Sequence, residues 1–403
     1  MNEISIFEAV HIIKEASAQS EPEEISIAEA DGRILAESVI CSTDIPGFDR
    51  SLKDGFALFS SDTQGATQDS PVFLDIAGTI SMGYGETPHL HSKETWRVAT
   101  GGRLPKGSDA VVMHEDVCGD ADPDTEDQII KVTQPVFSGE NIVKKGDDFS
   151  AGYEIFPKGW TIRLQDLGVL AAIGKTKVKV WRPPVVGIIS TGREIISAEL
   201  EPREGEVREV NSHLISGFLR RQGVIPKVYG IIKDEPELLF ILLHQSALMC
   251  DMVIVSGGSA KSAHDVTNEI INHLADPEHM EIMAGIGRPM LIRFIHETPV
   301  IALPGHPTSA FLILVLGITQ LIQGLKGSPC QKHYKQTVRM AVDLPSRKER
   351  EQFFPVQIRD GKARPVGGVS GSFQTLLDSD GIIKVPIGKE LLIEGEEVEV
   401  IIW

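Results

Sequence analysis

The spacing of apolar residues changes three times along the chain. They recur at helical spacing over residues 6–16, then Ile25 and Ile27 alternate with polar neighbours, and a short apolar run covers residues 33–36. These patterns predict a helix, a half-buried strand and a second, short helix. The segment is too short to form a domain by itself.

A β-rich module is predicted over residues 43–150. Its short alternating or apolar runs, separated by Gly, Pro and Asp, include residues 72–76, 110–113 and 129–132. A helix over residues 164–173 and a strand over 176–180 follow, and Pro183 and Pro184 mark a boundary. The β-rich module is therefore predicted to be an insertion between two halves of a connecting domain.

Beyond Pro184, apolar strands and helices alternate. Continuous apolar strands joined by helices are typical of a doubly wound, mostly parallel sheet with its functional cleft at the carboxyl ends of the strands. Strands are predicted at 185–189, 225–232, 252–255 and 300–303, and helices at 212–222, 235–248, 266–274 and 307–325.

From about Gly327 onward only short strands are predicted, which is typical of a small closed or sandwiched β domain. The sequence thus predicts a multidomain fold of the α/β plus β class. Its parts are a connecting α+β domain (1–43 and 149–181), an inserted β-rich domain (44–148), a doubly wound α/β domain (182–328) and a C-terminal β-barrel-like domain (329–403).

Composition and charge narrow the possible functions. The sequence is 41 % hydrophobic and 24 % charged, which is typical of globular proteins. Its length of 403 residues is typical of about three domains. With a net charge of −18 and no basic patch in the sequence, the chain is not expected to bind nucleic acid. The sequence predicts neither a membrane span nor a secretory signal, so a cytoplasmic location is expected. The four cysteines form no Cys-x-x-Cys pair and are expected to be ordinary thiols.

The loops after the predicted strands are rich in glycine and polar residues. Glycine lets backbone N–H groups approach a ligand, and a following helix N-terminus favours an anion, so phosphate binding is predicted. One such loop alone is more often an ordinary tight turn, whereas four loops at one edge favour phosphate binding. The sequence contains no Walker-type loop. The loops are Ser190-Thr191-Gly192-Arg193-Glu194, Lys233-Asp234-Glu235, Ser256-Gly257-Gly258-Ser259 and Pro304-Gly305-His306-Pro307.

Carboxylates accompany these loops. Glu194, Asp234 and Asp265 are predicted at the same edge of the sheet, where they suit a Mg²⁺ ion bridged to substrate phosphates. The alternative is helix capping, since Asp234 and Asp265 each precede a predicted helix. His89 and His91, two apart on a predicted strand, lack a third ligand at metal-binding spacing, so no metal site is predicted there.

Several segments match one family in order and spacing. They are residues 46–51, 54–57, 97–102, 109–113, 146–152, 190–192, 256–258 and 303–307. With these motifs the chain resembles, over nearly its whole length, the molybdopterin molybdenumtransferases, the family of bacterial MoeA and the gephyrin E domain. Each motif is weak alone, whereas the collinear set is specific.

The resemblance implies an elongated homodimer that binds adenylylated molybdopterin and molybdate, hydrolyses the adenylate with Mg²⁺, releases AMP and forms molybdenum cofactor. It also implies contacts with the molybdopterin adenylyltransferase and with acceptor molybdoenzymes. The implied catalytic residues are Asp54, Thr100 and Asp148, facing Glu194, Asp234 and Asp265 of the other subunit, and the last three are the implied Mg²⁺ ligands. The implied molybdopterin-binding residues are Ser190, Thr191, Gly192, Ser256, Gly257, Gly258, Lys261, Arg288, Pro304, Gly305 and Pro307.

The sequence departs from the family pattern mainly in the phosphate loops. The departures are Lys53 for an apolar residue, Arg193 for Asp, Ser262 for Gly, Gly285 and Arg288 for two lysines, and Pro355 for an arginine. They indicate a relocated phosphate clamp in which Lys261 replaces the missing lysine, a preference for tungstate, or a paralogue that binds molybdopterin without turnover. Because all six implied catalytic positions match the family, a working enzyme is favoured.

Overall fold

Separate hydrophobic cores succeed one another along the chain in the computed structural model. The structure describes residues 20–83, 85–118, 128–233, 235–257, 266–276, 282–285, 289–327, 334–349, 351–367 and 372–403, with the backbone alone at 282–285, 289 and 290.

Two distant segments build the first core. The strand Pro22–Ser26 pairs antiparallel with Lys177–Trp181, and Val39–Ile40 pairs with Glu154–Phe156. The helix Leu164–Ala172 buries Leu170 against them, and Gly174 follows it with a φ of 76°, as expected at a helix C-terminus. The connecting region is therefore closed by residues from both sides of the insertion.

The predicted helix at residues 33–36 is wrong. Ile34 and Leu35 form isolated β-bridges with Thr161 and Val180, and the nearby helical turn is the 3₁₀ segment Ile27–Glu29. Leu35 is fully buried in the first core, so its long-range pairing outweighs the local helical pattern.

The inserted region is β-rich, as predicted. A two-stranded pair, Arg50–Ser51 with Ile142–Val143, closes its ends, and the 3₁₀ segments are Ser60–Thr63 and His114–Asp116. The main sheet has the order Ala110–Met113, Gly55–Leu58, Glu94–Val98, Val72–Thr79, Ile129–Val132 and Val117–Cys118. The predicted strand through His89 and His91 is wrong, because His89 makes one isolated bridge and His91 lies in irregular structure.

A six-stranded mixed sheet forms the α/β region. Its order is Ile225–Ile232, Val185–Thr191, Met252–Ser256, Thr298–Leu303, Pro289–Ile295 and Ile282–Gly285. The first four strands are parallel, whereas the last two, which the sequence pattern did not reveal, are antiparallel. The helices are Asn211–Arg221, Pro236–Met249, Val266–Leu274 and Pro307–Leu325, and Ile195–Ile196 pairs with Val207–Arg208. Helices cover both faces, which confirms the doubly wound arrangement.

The Pro307–Leu325 helix is continuous across a π-helical turn at Leu314–Ile318. By length and composition alone it could cross a membrane, because its most apolar window has a mean hydropathy of 1.7. Within this chain 72 % of that window is buried, and its side chains join the core beneath the sheet. Its apolar character is thus accounted for by packing.

The C-terminal region is a closed β-barrel, as predicted. Its strands follow the order Lys335–Met340, Lys362–Pro365, Gln352–Arg359, Gly381–Val385 and Glu397–Ile402. Leu344–Pro345 pairs with Leu391–Leu392, and the short helix is Phe373–Asp378. The ring of Trp403 meets Phe311 edge-on and joins the barrel to the α/β core. The fold class is confirmed, and the residue boundaries between the four parts remain a prediction.

Candidate functional site

A pocket of about 860 Å³ opens at the carboxyl ends of the parallel strands. Three of the four predicted loops, at residues 190–194, 256–259 and 304–307, contribute residues to it, so loops distant in sequence converge as expected. Lys233 and Glu235 of the fourth predicted loop do not line it. Of the predicted residues, those that line it are Ser190, Thr191, Glu194, Ser256, Gly257, Gly305 and Pro307. Gly192 and Pro304 belong to the same loops but do not line the pocket.

Gly257 holds two of these loops in close contact. Its φ is 116°, and a Cβ atom there would lie 1.9 Å from the carbonyl oxygen of Thr191. No side chain fits at that separation, so the position requires glycine. Because Gly257 has no side chain, its backbone is accessible to a ligand in the pocket.

Asn211 connects two of the pocket's loops. Its side-chain amide donates hydrogen bonds to the hydroxyl oxygen of Ser256, at 2.6 Å, and to the carbonyl oxygen of Gly305, at 3.0 Å. Asn211 is 7 % exposed, and its Oδ1 atom has no hydrogen-bond partner within the described part of the chain. Asn211 therefore both ties the loops together and retains a free acceptor beside the pocket.

Glu209 is a buried carboxylate in the same wall. It accepts hydrogen bonds from the Ser190 hydroxyl at 3.0 Å and from the Ser212 backbone N–H at 2.7 Å, and also from the Ser212 hydroxyl. Sequence reasoning missed Glu209 and Asn211. The signal was the run of capping residue types immediately before an apolar helix, which marks a helix start at the pocket.

Glu194 lies at the pocket's open side. Its carboxylate lies over Gly192, where a Cβ atom would come within 3.0 Å of Oε2. Glu194 is exposed and makes no ion pair with the residues that the structure describes. A carboxylate without a cationic partner beside a ligand-sized pocket can coordinate a hard cation.

The inserted region gathers a second group of predicted residues. The Asp54 carboxylate accepts a 2.8 Å hydrogen bond from the backbone N–H of Thr100. Thr100 is followed by Gly101, whose N–H donates to the carbonyl oxygen of Ser51. Asp148 lies 3.8 Å from the guanidinium group of Arg50, the residue before Ser51. Through these contacts Asp54, Thr100 and Asp148 are all linked, directly or through a neighbouring residue, to the short strand Arg50–Ser51.

The two groups of predicted residues do not meet in one pocket within the chain. Asp54, Thr100 and Asp148 are not part of the lining of the strand-end pocket as the described residues define it. Among the residues that the structure describes, no three or more His, Cys, Asp or Glu side chains cluster in a way suited to binding a metal ion. The predicted site residues that lie outside the described residues are Asp234, Gly258, Lys261, Asp265 and Arg288.

Three family models match successive parts of the chain. The MoeA N-terminal region (domain I and II) matches residues 4–174, and a "probable molybdopterin binding domain" matches 187–323. The MoeA C-terminal region (domain IV) matches residues 337–403. The order agrees with the resemblance seen in the motifs.

Relatives match the chain over nearly its full length. A Methanocaldococcus jannaschii protein named for molybdopterin biosynthesis is 30 % identical over 386 residues, 94 % of this chain and 91 % of the relative. The Bacillus subtilis molybdopterin molybdenumtransferase is 28 % identical, in an alignment that covers 99 % of this chain and 94 % of the relative. A crystal structure of the MoeA protein of Pyrococcus horikoshii matches with a TM-score of 0.85 at 31 % identity, covering 100 % of this chain and 99 % of its own. The chain therefore belongs to the MoeA family of molybdenum cofactor biosynthesis proteins.

Proposed function

We propose that this chain is a molybdopterin molybdenumtransferase, which inserts molybdate into adenylylated molybdopterin and releases AMP with Mg²⁺. The observation that carries this proposal is the pocket at the strand ends, where glycine-rich loops meet the start of a long helix in a chain of the MoeA family. Its volume of about 860 Å³ is within the range of small-molecule and cofactor sites.

The pocket walls supply groups suited to a phosphorylated pterin. The Pro307–Leu325 helix begins at the pocket, so its unpaired N–H groups and its dipole favour a phosphate there. Gly257 lets the phosphate approach the backbone, and Ser256 and Thr191 add hydroxyl groups to the lining. Asn211 Oδ1 is an acceptor that a pterin N–H can satisfy after a small local adjustment.

Mg²⁺ is proposed to bind Glu194 together with Asp234 and Asp265. The exposed carboxylate of Glu194, with no ion-pair partner among the described residues, fits a cation that prefers oxygen ligands and retains waters. When bound, the ion would offset the negative charge of the phosphates during cleavage of the phosphoanhydride bond.

A two-fold homodimer is proposed to complete the site. Asp54, Thr100 and Asp148 lie in the inserted region and do not line the strand-end pocket of their own chain, as far as the described residues define it. In an isologous dimer the same surfaces meet reciprocally, so each pocket can receive these residues from the other subunit.

The decisive experiment is to incubate the purified chain with adenylylated molybdopterin, Mg²⁺ and molybdate and to quantify AMP. We expect AMP release that requires molybdate and is lost with EDTA. A parallel reaction with tungstate tests the alternative metal. Asp54→Asn should abolish release while leaving the circular dichroism spectrum unchanged, and Asp69→Asn, an exposed carboxylate of the same region, serves as the control. Tight pterin binding without AMP under every condition would contradict the proposed turnover.

A further inference from the structure

A second cavity, of about 390 Å³, lies where the connecting region meets the α/β region. The C-terminal end of the Asn211–Arg221 helix forms one wall, and the end of the Pro307–Leu325 helix forms another. The first of these helices begins at the strand-end pocket and ends here, and eleven residues correspond to about 16 Å of helix. The second cavity is therefore separate from the candidate active site.

The charges around this cavity are mostly positive. Five cations line it, against a single acidic residue, Asp31, in a chain whose net charge is −18. They are Arg33, Arg182, Arg220, Arg221 and Lys326. Such a cluster of positive charge in an acidic chain has to be stabilised locally, by negative groups of the protein or by a bound anion.

Two of the five cations have carboxylate partners. Arg182 binds Asp251 at 2.7 Å, and Arg33 binds Glu23. Arg220, Arg221 and Lys326 have no ion-pair partner in the part of the chain that the structure describes. Three positive charges thus remain without a carboxylate.

The remaining polar groups of the wall include further hydrogen-bond donors without partners. Gln323 is 4 % exposed, and its side-chain amide makes no hydrogen bond with the described residues. The indole nitrogen of Trp181, which donates only, is likewise buried without a partner. A buried donor without an acceptor costs free energy, and among the described lining residues this applies to the Trp181 N–H. The Gln323 amide remains available to donate into the cavity that it lines.

Lys326 experiences the same excess of positive charge. Burial lowers the pKa of its ammonium group, and the neighbouring charge of Arg33 lowers the pKa further. The ammonium group donates one hydrogen bond, of 2.8 Å, to the carbonyl oxygen of Gln222. Its remaining donors have no acceptor among the described residues.

Helix termini account for only part of this arrangement. Cations are commonly found at helix C-termini, where the dipole amounts to about half a negative charge. Two such ends and Asp31 together supply about two negative charges, fewer than the three unpaired cations. The wall therefore still has an excess of positive charge and of donors.

We propose that this cavity binds a dianionic oxyanion of the phosphate class, either free or as the phosphoryl end of a small ligand. The guanidinium groups of Arg220 and Arg221 would provide charge-assisted hydrogen bonds, and Gln323 and Lys326 would provide donors from the cavity floor. This proposal does not rest on the proposed function, because no residue of the strand-end pocket takes part. An anion bound here would contact the far end of a helix whose first residue, Asn211, organises that pocket.

The test measures binding of inorganic phosphate, and in a second arm AMP, to the full chain by calorimetry and thermal shift at constant ionic strength. The wild type should bind, and Arg220→Gln/Arg221→Gln should weaken binding by about tenfold or more, because two charge-assisted contacts are lost. Both arginines are exposed, so the double variant should fold normally. Arg359→Gln in the barrel, also exposed and without an ion-pair partner among the described residues, is the control of matched chemistry.

Lys326→Gln provides a second variant, in which phosphate binding should also weaken while Arg359→Gln retains wild-type affinity. If phosphate and AMP both lose affinity in the double variant, a phosphoryl end is sufficient for recognition, and if phosphate alone does, the site takes the free anion. Unchanged phosphate affinity in Arg220→Gln/Arg221→Gln would assign any binding to the strand-end pocket and overturn the proposal. Absence of phosphate binding to the wild type at millimolar concentration would overturn it equally.

Discussion

The side-chain amide of Asn211 donates a 2.6 Å hydrogen bond to the hydroxyl oxygen of Ser256, across 45 residues of sequence. The same amide donates to the carbonyl oxygen of Gly305, so one side chain at a helix start holds two strand-end loops. Because all three residues are part of the pocket lining, the stability of this contact and ligand binding should change together.

Asn211→Ala should lower the free energy of unfolding by about 1–3 kcal/mol, since the buried Ser256 hydroxyl and the carbonyl of Gly305 lose their donor. Asn211→Asp should behave similarly, because a carboxylate keeps the shape but cannot donate. Urea denaturation gives the stability, and fluorescence titration gives pterin affinity, which should fall in both variants. Asn272→Ala, an exposed residue with a single side-chain hydrogen bond, should have little effect. Wild-type affinity in Asn211→Asp would show that the amide does not organise the pocket.

Gly257→Ala should disrupt the pocket, because the added Cβ would lie 1.9 Å from the carbonyl oxygen of Thr191. The backbone must shift to relieve this contact, so we expect loss of pterin binding and a destabilisation of more than about 2 kcal/mol. Gly205→Ala is the matched control, since its φ of 89° is strained in the same way but nothing lies within 4 Å of the added atom. Equal thermal stability of the two variants would mean that the loop adapts freely to the methyl group.

The stability contributed by Asp166 should depend on pH. Burial raises the pKa of this carboxyl group, but hydrogen bonds from Arg163 and Trp160 outweigh it and hold the pKa below its usual value. A lowered folded-state pKa contributes stability above the unfolded value of about 3.9, and this contribution is lost as the pH falls through the folded value.

Asp166→Asn should therefore lower the free energy of unfolding by about 1–3 kcal/mol at pH 7. The difference from the wild type should shrink below about pH 4. Denaturation curves between pH 3 and pH 7 measure the difference, with Asp69→Asn as an exposed control. A difference that stays constant across this range would exclude a role for the charge of Asp166.

Mixed dimers test the proposed shared site. An Asp54→Asn chain and a Glu194→Gln chain should each be inactive alone. Mixed in equal amounts and allowed to exchange subunits, they should recover roughly a quarter of wild-type activity, because half of the dimers are mixed and one of their two sites carries neither change. AMP release is measured on dimers verified with two affinity tags. No recovery in a verified heterodimer would place both carboxylates in a site built from one chain.

Local sequence patterns were sufficient for most elements of the α/β region. The helix Asn211–Arg221 and the strand Ile225–Ile232 agree with their predicted positions to within one residue. Gly223 between them has a φ of 71°, a conformation that glycine adopts without strain. Periodicity and turn chemistry act over a few residues, so they can be read from the chain directly.

Pairing between segments that are distant in sequence could not be predicted from local patterns. Leu35 lies in a run with a helical pattern, yet it pairs with Val180, because burial in a core built from two segments outweighs local propensity. The antiparallel strands Ile282–Gly285 and Pro289–Ile295 were missed for another reason, because they pair as hairpins close in sequence, with each other and with Thr298–Leu303, where the pattern predicted only the last strand.

The sequence by itself determined the family, the order of the regions and the residue types at the strand ends. Only the tertiary structure decided which side chains meet, because hydrogen bonds such as Asp54 to Thr100 and Asn211 to Ser256 join residues 45 or 46 positions apart. The cluster of cations at the second cavity likewise depends on the tertiary structure. Arg220 and Arg221 lie about a hundred residues from Lys326 in the sequence, yet all three line the same cavity. A chain's sequence lists its charges, but their sum at a site depends on which segments fold against one another.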